Sequence, residues 1–162
     1  MDEVTYQPIA SRGDFHAAVR AAFEDAATNG CREIWISDTD FADWPLGEIG
    51  VVESLTRWAQ SHRRLLLIAQ SYAEFPRRHA RWVEWRRRWS HVVTCRAVTD
   101  LEPGHMPTAM LCLDRRSVRL VDPIRYRGSV AGDAVTLTAV REAIDAIAQR
   151  SEDAFPVTML GL

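Results

Sequence analysis

Apolar positions in this chain follow two rhythms, one of threes and fours and one of short unbroken runs, and the two alternate. Between Ser11 and Asn29, Phe15, Ala18, Val19, Ala22, Phe23 and Ala26 form one stripe at helical spacing, which predicts a first helix. Ser11 with Asp14 resembles a capping box, and Gly30 is a stop. Glu33 to Ser37 is a short apolar strand. Leu46 to Ser61 returns to helical spacing with Val51, Val52, Leu55, Trp58 and Ala59 inward, although Gly47 and Gly50 each weaken its first turn by up to about 1 kcal/mol. Arg64 to Ala69 is a continuous apolar run, as in a strand buried on both faces. Glu74 to Trp89 predicts a third helix, on which Phe75, Trp82, Trp85 and Trp89 fall within about 80° of one another at roughly 100° per residue. His91 to Val98 predicts a third strand, and Thr99 to Pro107 an exposed linker.

Beyond the linker, Thr108 to Leu113 is apolar, Asp114-Arg115-Arg116 is a charged turn, and Ser117 to Val121 alternates. Strand, turn and strand predict a hairpin. Arg125 to Val130 adds a strand, Gly132-Asp133 turns the chain, and Val135 to Arg150 is a closing helix with Leu137, Val140, Ile144 and Ile147 inward. The ending FPVTMLGL is apolar enough to dock on the body or on a partner. Alternating helices and strands need crossover connections, so the pattern predicts an α/β fold with a mostly parallel central sheet, a β-hairpin in the C-terminal half and flanking helices. With 162 residues and no internal repeat, the expected organisation is a single domain over 1–162, with 1–10 and 151–162 as terminal segments.

Charge changes this picture more than composition does. Residues 1–56 hold 3 Arg and 11 acids, a balance of −8; residues 57–127 hold 15 Arg and 6 acids, a balance of +9; residues 128–162 hold 2 Arg and 5 acids, a balance of −3. All 20 Lys-plus-Arg positions are Arg, so a mechanism that needs a lysine from this chain is excluded. There is no apolar run of membrane-spanning length, and the acidic start MDEVTYQPIA lacks the layout of a signal peptide, so a cytoplasmic protein is expected. Cys31, Cys95 and Cys112 are widely spaced in apolar surroundings and read as buried, reduced thiols. Scattered Cys and His without paired spacing, and the absence of a Gly-rich phosphate loop, lead to an expectation of no metal and no cofactor.

The first candidate for chemistry is His105 with Asp114. Three strands, a hairpin and a closing helix, with a His ahead of the hairpin and an Asp in it, resemble a phospholipase D-like half-domain over roughly Ser11 to Arg150. Active members carry His-x-Lys-x4-Asp, with the His as nucleophile toward a phosphodiester. In this chain Pro107 stands where that lysine belongs, and Asp114 lies nine residues after His105 rather than seven. The resemblance therefore implies a non-catalytic phospholipase D-like sandwich, a pseudoenzyme that acts by binding or assembly. It also implies a homodimer, since two half-domains normally meet across one site. Arg119, Arg125 and Arg127 around the hairpin are the expected clamps for an anionic or phosphate-bearing ligand. A divergent phosphodiesterase using His105 is the alternative. Phe41 to Gly47, Arg77 to Trp89 and FPVTMLGL also resemble a group of uncharacterised bacterial proteins with the same layout.

Two further candidates remain. Six Arg interleaved with three Trp between Arg77 and Trp89 suit phosphate contacts and base stacking, so nucleic-acid binding through this helix is a second alternative. The preferred reading keeps the Trp stripe as core and the Arg as solvated surface, and a pI near 6.2 is unlike a dedicated DNA binder. Asp38, Asp40 and Asp43 could hold Mg²⁺ or Ca²⁺, but Asp43 capping the second helix and Asp40 shaping the turn is the preferred reading. His16, His62, His79 and His91 read as surface or satisfied residues.

Overall fold

The computed structural model describes residues 3–60, 62–102 and 104–157. In chain order the elements are β1 (Gln7–Ile9), α1 (Arg12–Asn29), β2 (Glu33–Ser37), α2 (Ile49–Trp58), β3 (Arg64–Ala69), α3 (Phe75–Arg78), α4 (Ala80–Arg88), β4 (Val93–Ala97), β5 (Thr108–Cys112), β6 (Arg116–Asp122), β7 (Arg127–Ala131), α5 (Ala134–Ala148) and β8 (Glu152–Asp153). The strands form one eight-stranded sheet in the order β1-β7-β6-β5-β2-β3-β4-β8.

Only the β2–β3 and β3–β4 pairs are parallel; the other five described pairs are antiparallel. The mostly parallel phospholipase D-like sandwich is therefore corrected to a mixed, mostly antiparallel sheet. The reason lies between β4 and β5. A parallel return needs a crossover of a dozen or more residues, usually a helix. The described residues of the segment 98–107 contain none and stay on one edge of the sheet. The segment passes over β3, where Gln70 Nε2 donates to Leu101 O at 3.1 Å, and over β2, where Ser37 Oγ donates to Pro107 O at 2.5 Å. The chain then descends as β5, antiparallel to β2.

Helices α1, α2 and α4 cover one face of the sheet over a core that includes Phe15, Phe23, Phe41, Leu55, Trp58, Phe75 and Trp82, all at most 1% exposed. Helix α5 covers part of the other face, where Val140, Ile144 and Ile147 pack on Ile68, Ala109 and Leu111. Ser11 caps α1, accepting from Asp14 N at 3.0 Å. At α2 the expected Asp43 cap is not formed: Glu48 is the N-cap and makes no side-chain cap bond. Asp43 instead accepts from Arg12 Nε at 2.7 Å, while its carbonyl lies 2.6 Å from His16 Nε2.

The expected third helix is broken at His79 (φ −128°, ψ 41°) into α3 and α4. Cys31, Cys95 and Cys112 are buried and unpaired. Phe155, in the described part of the tail, stacks on Tyr72 at 5.1 Å and lies under the Arg86 guanidinium at 4.9 Å. The rest of the FPVTMLGL ending, from Thr158 on, lies outside the described residues. None of the described helices is long and apolar enough to cross a membrane.

Candidate nucleic-acid interface

The hairpin residues do not converge. His105 precedes β5 and Asp114 follows it, so the two sit at opposite ends of a five-residue strand that alone spans roughly 13 Å. Asp114 occupies the exposed β5–β6 turn with φ 63°. Arg125 turns back to Asp122, 3.4 Å away, and Arg127 donates to the Ala10 carbonyl. Arg119 projects from β6 with no ion pair among the described residues. The acidic loop is also engaged locally. Asp38 Oδ2 accepts from Phe41 N at 2.9 Å and its Oδ1 from Thr108 Oγ1 at 2.7 Å, and burial pushes its carboxyl up. Asp40 Oδ1 accepts from Ala42 N at 2.9 Å, as a turn-shaping Asp should.

On the Trp/Arg segment, Trp82 and Trp85 are buried at 0% and 5% exposure, so neither can stack on a base. Arg86 is also buried and donates to Phe155 O. Arg87 pairs with Glu84 at 3.1 Å, and Arg81 donates to Gly47 O at 2.6 Å. Trp89, at the end of α4, is half-buried, and Arg88 beside it is exposed.

A large concavity lies next to Trp89. Because β2, β3 and β4 are parallel, the three helix-to-strand turns that start them reach the same edge of the sheet. Pairing of Glu33 with Arg64 and of Leu65 with Val93 aligns these starts. Trp58 Nε1 donates to Cys31 O at 2.6 Å and fastens the end of α2 to the first of these turns. Gly30 (φ 84°) lets that turn leave α1 in a backbone conformation that side-chain-bearing residues rarely adopt.

The result is a cleft of about 1130 Å³ whose lining includes Arg32, His62, Arg63, Arg64, Trp89 and His91. A second lobe of about 550 Å³, with Arg81, Arg88 and Glu84, shares Trp89 and His91 with the first. Five arginines face two glutamates across the lobes. Glu84 is held by Arg87, and Glu33 accepts from Trp35 Nε1 at 3.3 Å. Among the described residues, Arg32, Arg63, Arg64 and Arg88 make no ion pair, unlike most arginines of the chain. Arg63 Nε is buried without a hydrogen-bond partner. An edge of this kind presents several guanidinium forks to one polyanion.

Most of these residues escaped the sequence reading. His62 and His91 read as surface, and Arg32, Arg63 and Arg64 carried no motif. One signal was present: a basic residue stands just ahead of each of three successive strand runs, at Arg32, at Arg63-Arg64 and at His91.

No family model and no curated protein matches the chain. Among solved structures it resembles TrmBL2, an archaeal chromatin protein, with a TM-score of 0.62 at 11% identity. The likeness covers 93% of this chain and 54% of the other, so this chain spans about half the length of that protein. At such identity the likeness concerns the fold. It supports neither the phospholipase D-like assignment nor a bacterial family, and the expectation of a homodimer, which rested on that assignment, loses its ground.

Proposed function

We propose that this protein binds nucleic acid, and does so at the two-lobed cleft rather than at the hairpin. The observation that carries the reading is the gathering of Arg32, Arg63, Arg64 and Arg88, none ion-paired among the described residues, around a cleft that also holds Trp89 and His91. Unpaired guanidinium groups aligned along one groove suit a phosphodiester backbone, whose neutralisation releases counterions. Support also comes from the fold likeness, since TrmBL2 is described as showing a novel mode of DNA binding. Binding through buried Trp82 and Trp85 has no support from the geometry. The reading is one of binding and calls for no catalytic step.

Equilibrium binding of a fluorescent oligonucleotide at rising salt tests it. Four phosphate contacts give a slope of about −2.8 in log affinity against log salt for a single strand. The double variant Arg63→Ala/Arg64→Ala is expected to weaken binding to all sequences alike and to reduce that slope by about 1 to 2. An unchanged slope in that variant, with its fold intact by circular dichroism, overturns the site.

A further inference from the structure

The two lobes of the cleft meet at a ladder of rings. Trp85 is buried, Trp89 is half-buried and His91 is exposed. Their planes stay close to parallel: Trp85 and Trp89 are 6.4 Å apart at 24°, and Trp89 and His91 are 5.8 Å apart at 30°. The ladder thus runs out of the core and ends in an exposed imidazole, with arginines in the lobes on both sides.

We propose that the next rung is an unpaired nucleobase, so that the cleft selects single-stranded over double-stranded nucleic acid. The inference rests on the nucleic-acid reading above and names the form of ligand that reading leaves open. A base in a duplex already stacks on its neighbours and reaches a protein ring only after unpairing, which weakens binding. A single strand offers its base faces at once, while its flanking phosphates reach Arg63 and Arg64 on one side and Arg88 on the other. A basic groove interrupted by stacked rings is the arrangement that sequence-tolerant single-strand binding uses.

The test compares a short oligothymidylate, the same strand with abasic residues at its centre, and a duplex of equal length, at one salt concentration. The thymidylate strand is expected to bind about tenfold or more tightly than either competitor. His91→Ala should weaken the thymidylate strand by about 5- to 100-fold while leaving abasic binding unchanged. His91→Phe, which keeps a ring, should restore it. Equal affinity for all three ligands overturns the stacking assignment while leaving the nucleic-acid reading in place. A single-strand preference that persists unchanged in His91→Ala also overturns it. Failure of every strand to bind overturns both.

Discussion

Arg115, in the β5–β6 turn, grips Asp25 on α1 with two prongs, Nε to Oδ2 at 2.5 Å and Nη2 to Oδ1 at 2.6 Å. Both side chains are 12% exposed, and Asn29 Nδ2 donates to the same carboxylate at 2.7 Å. The guanidinium, with help from Asn29, holds the Asp25 carboxyl below its usual range. A carboxyl depressed in the folded state stabilises it above the unfolded pKa and stops doing so as pH falls through the folded one. Asp25→Asn is expected to cost about 1–3 kcal/mol at neutral pH. Urea denaturation at about pH 7 and about pH 3 should show the gap to wild type closing in acid.

His79 responds to pH in a different range. It is 3% exposed, lies 2.7 Å by Nε2 from the Phe41 carbonyl, and keeps Nδ1 buried without a partner. A carbonyl can only accept, so Nε2 carries a proton and donates it to Phe41. Burial lowers its pKa. As pH falls below about 6.5 the unfolded chain takes up a proton before the folded one, so His79 makes stability decline with acid in that window. His79→Gln, which retains a donor for Phe41, should flatten this part of the stability profile; an unchanged profile would assign it to another group.

Gly128 is fixed by its neighbour across the sheet. A Cβ at this position would stand 1.8 Å from Arg119 O, beside the register shift between Leu120 and Asp122. Since the obstacle is backbone, Gly128→Ala is expected to destabilise by at least about 1–3 kcal/mol, read as a lowered midpoint in thermal unfolding. Retention of the wild-type midpoint would mean that β6 and β7 do not pair in this register.

Stability should also separate the tryptophans. Trp82→Ala empties a site in the core and is expected to cost about 3–5 kcal/mol. Trp89→Ala, at the half-buried end of α4, should cost much less and weaken oligonucleotide binding instead. Similar losses of stability from both would place Trp89 in the core.

Helix α1, the β5–β6 hairpin and α5 were legible because each carries its own period and punctuation: Ser11 and Gly30 around α1, Asp114 in the hairpin turn, and the spacing of Val140, Ile144 and Ile147. The break at His79 was not, since Phe75, Trp82 and Trp85 keep helical spacing across it, and the ring that fills it is held by Phe41, distant in sequence. β1 and β8 are three and two residues long, too short for any period. The direction of β5 depends on where the linker crosses the sheet, through contacts at Ser37 and Gln70 that local pattern cannot show. The candidate site was hidden for the same reason. Arg32, Arg63 and His91 become neighbours only when three strands lie parallel, whereas the hairpin arginines, prominent in sequence, are largely engaged by Asp25, Asp122 and Ala10.

Photocrosslinking of a bromodeoxyuridine oligonucleotide, with the modified peptides mapped by mass spectrometry, tests the location most directly. Crosslinks are expected at Trp89 and His91, with protection of the neighbouring Arg63 and Arg64 from an arginine-modifying reagent. Crosslinks confined to the hairpin around Arg119 and Arg127, with Arg63 and Arg64 still open to modification, would contradict the account.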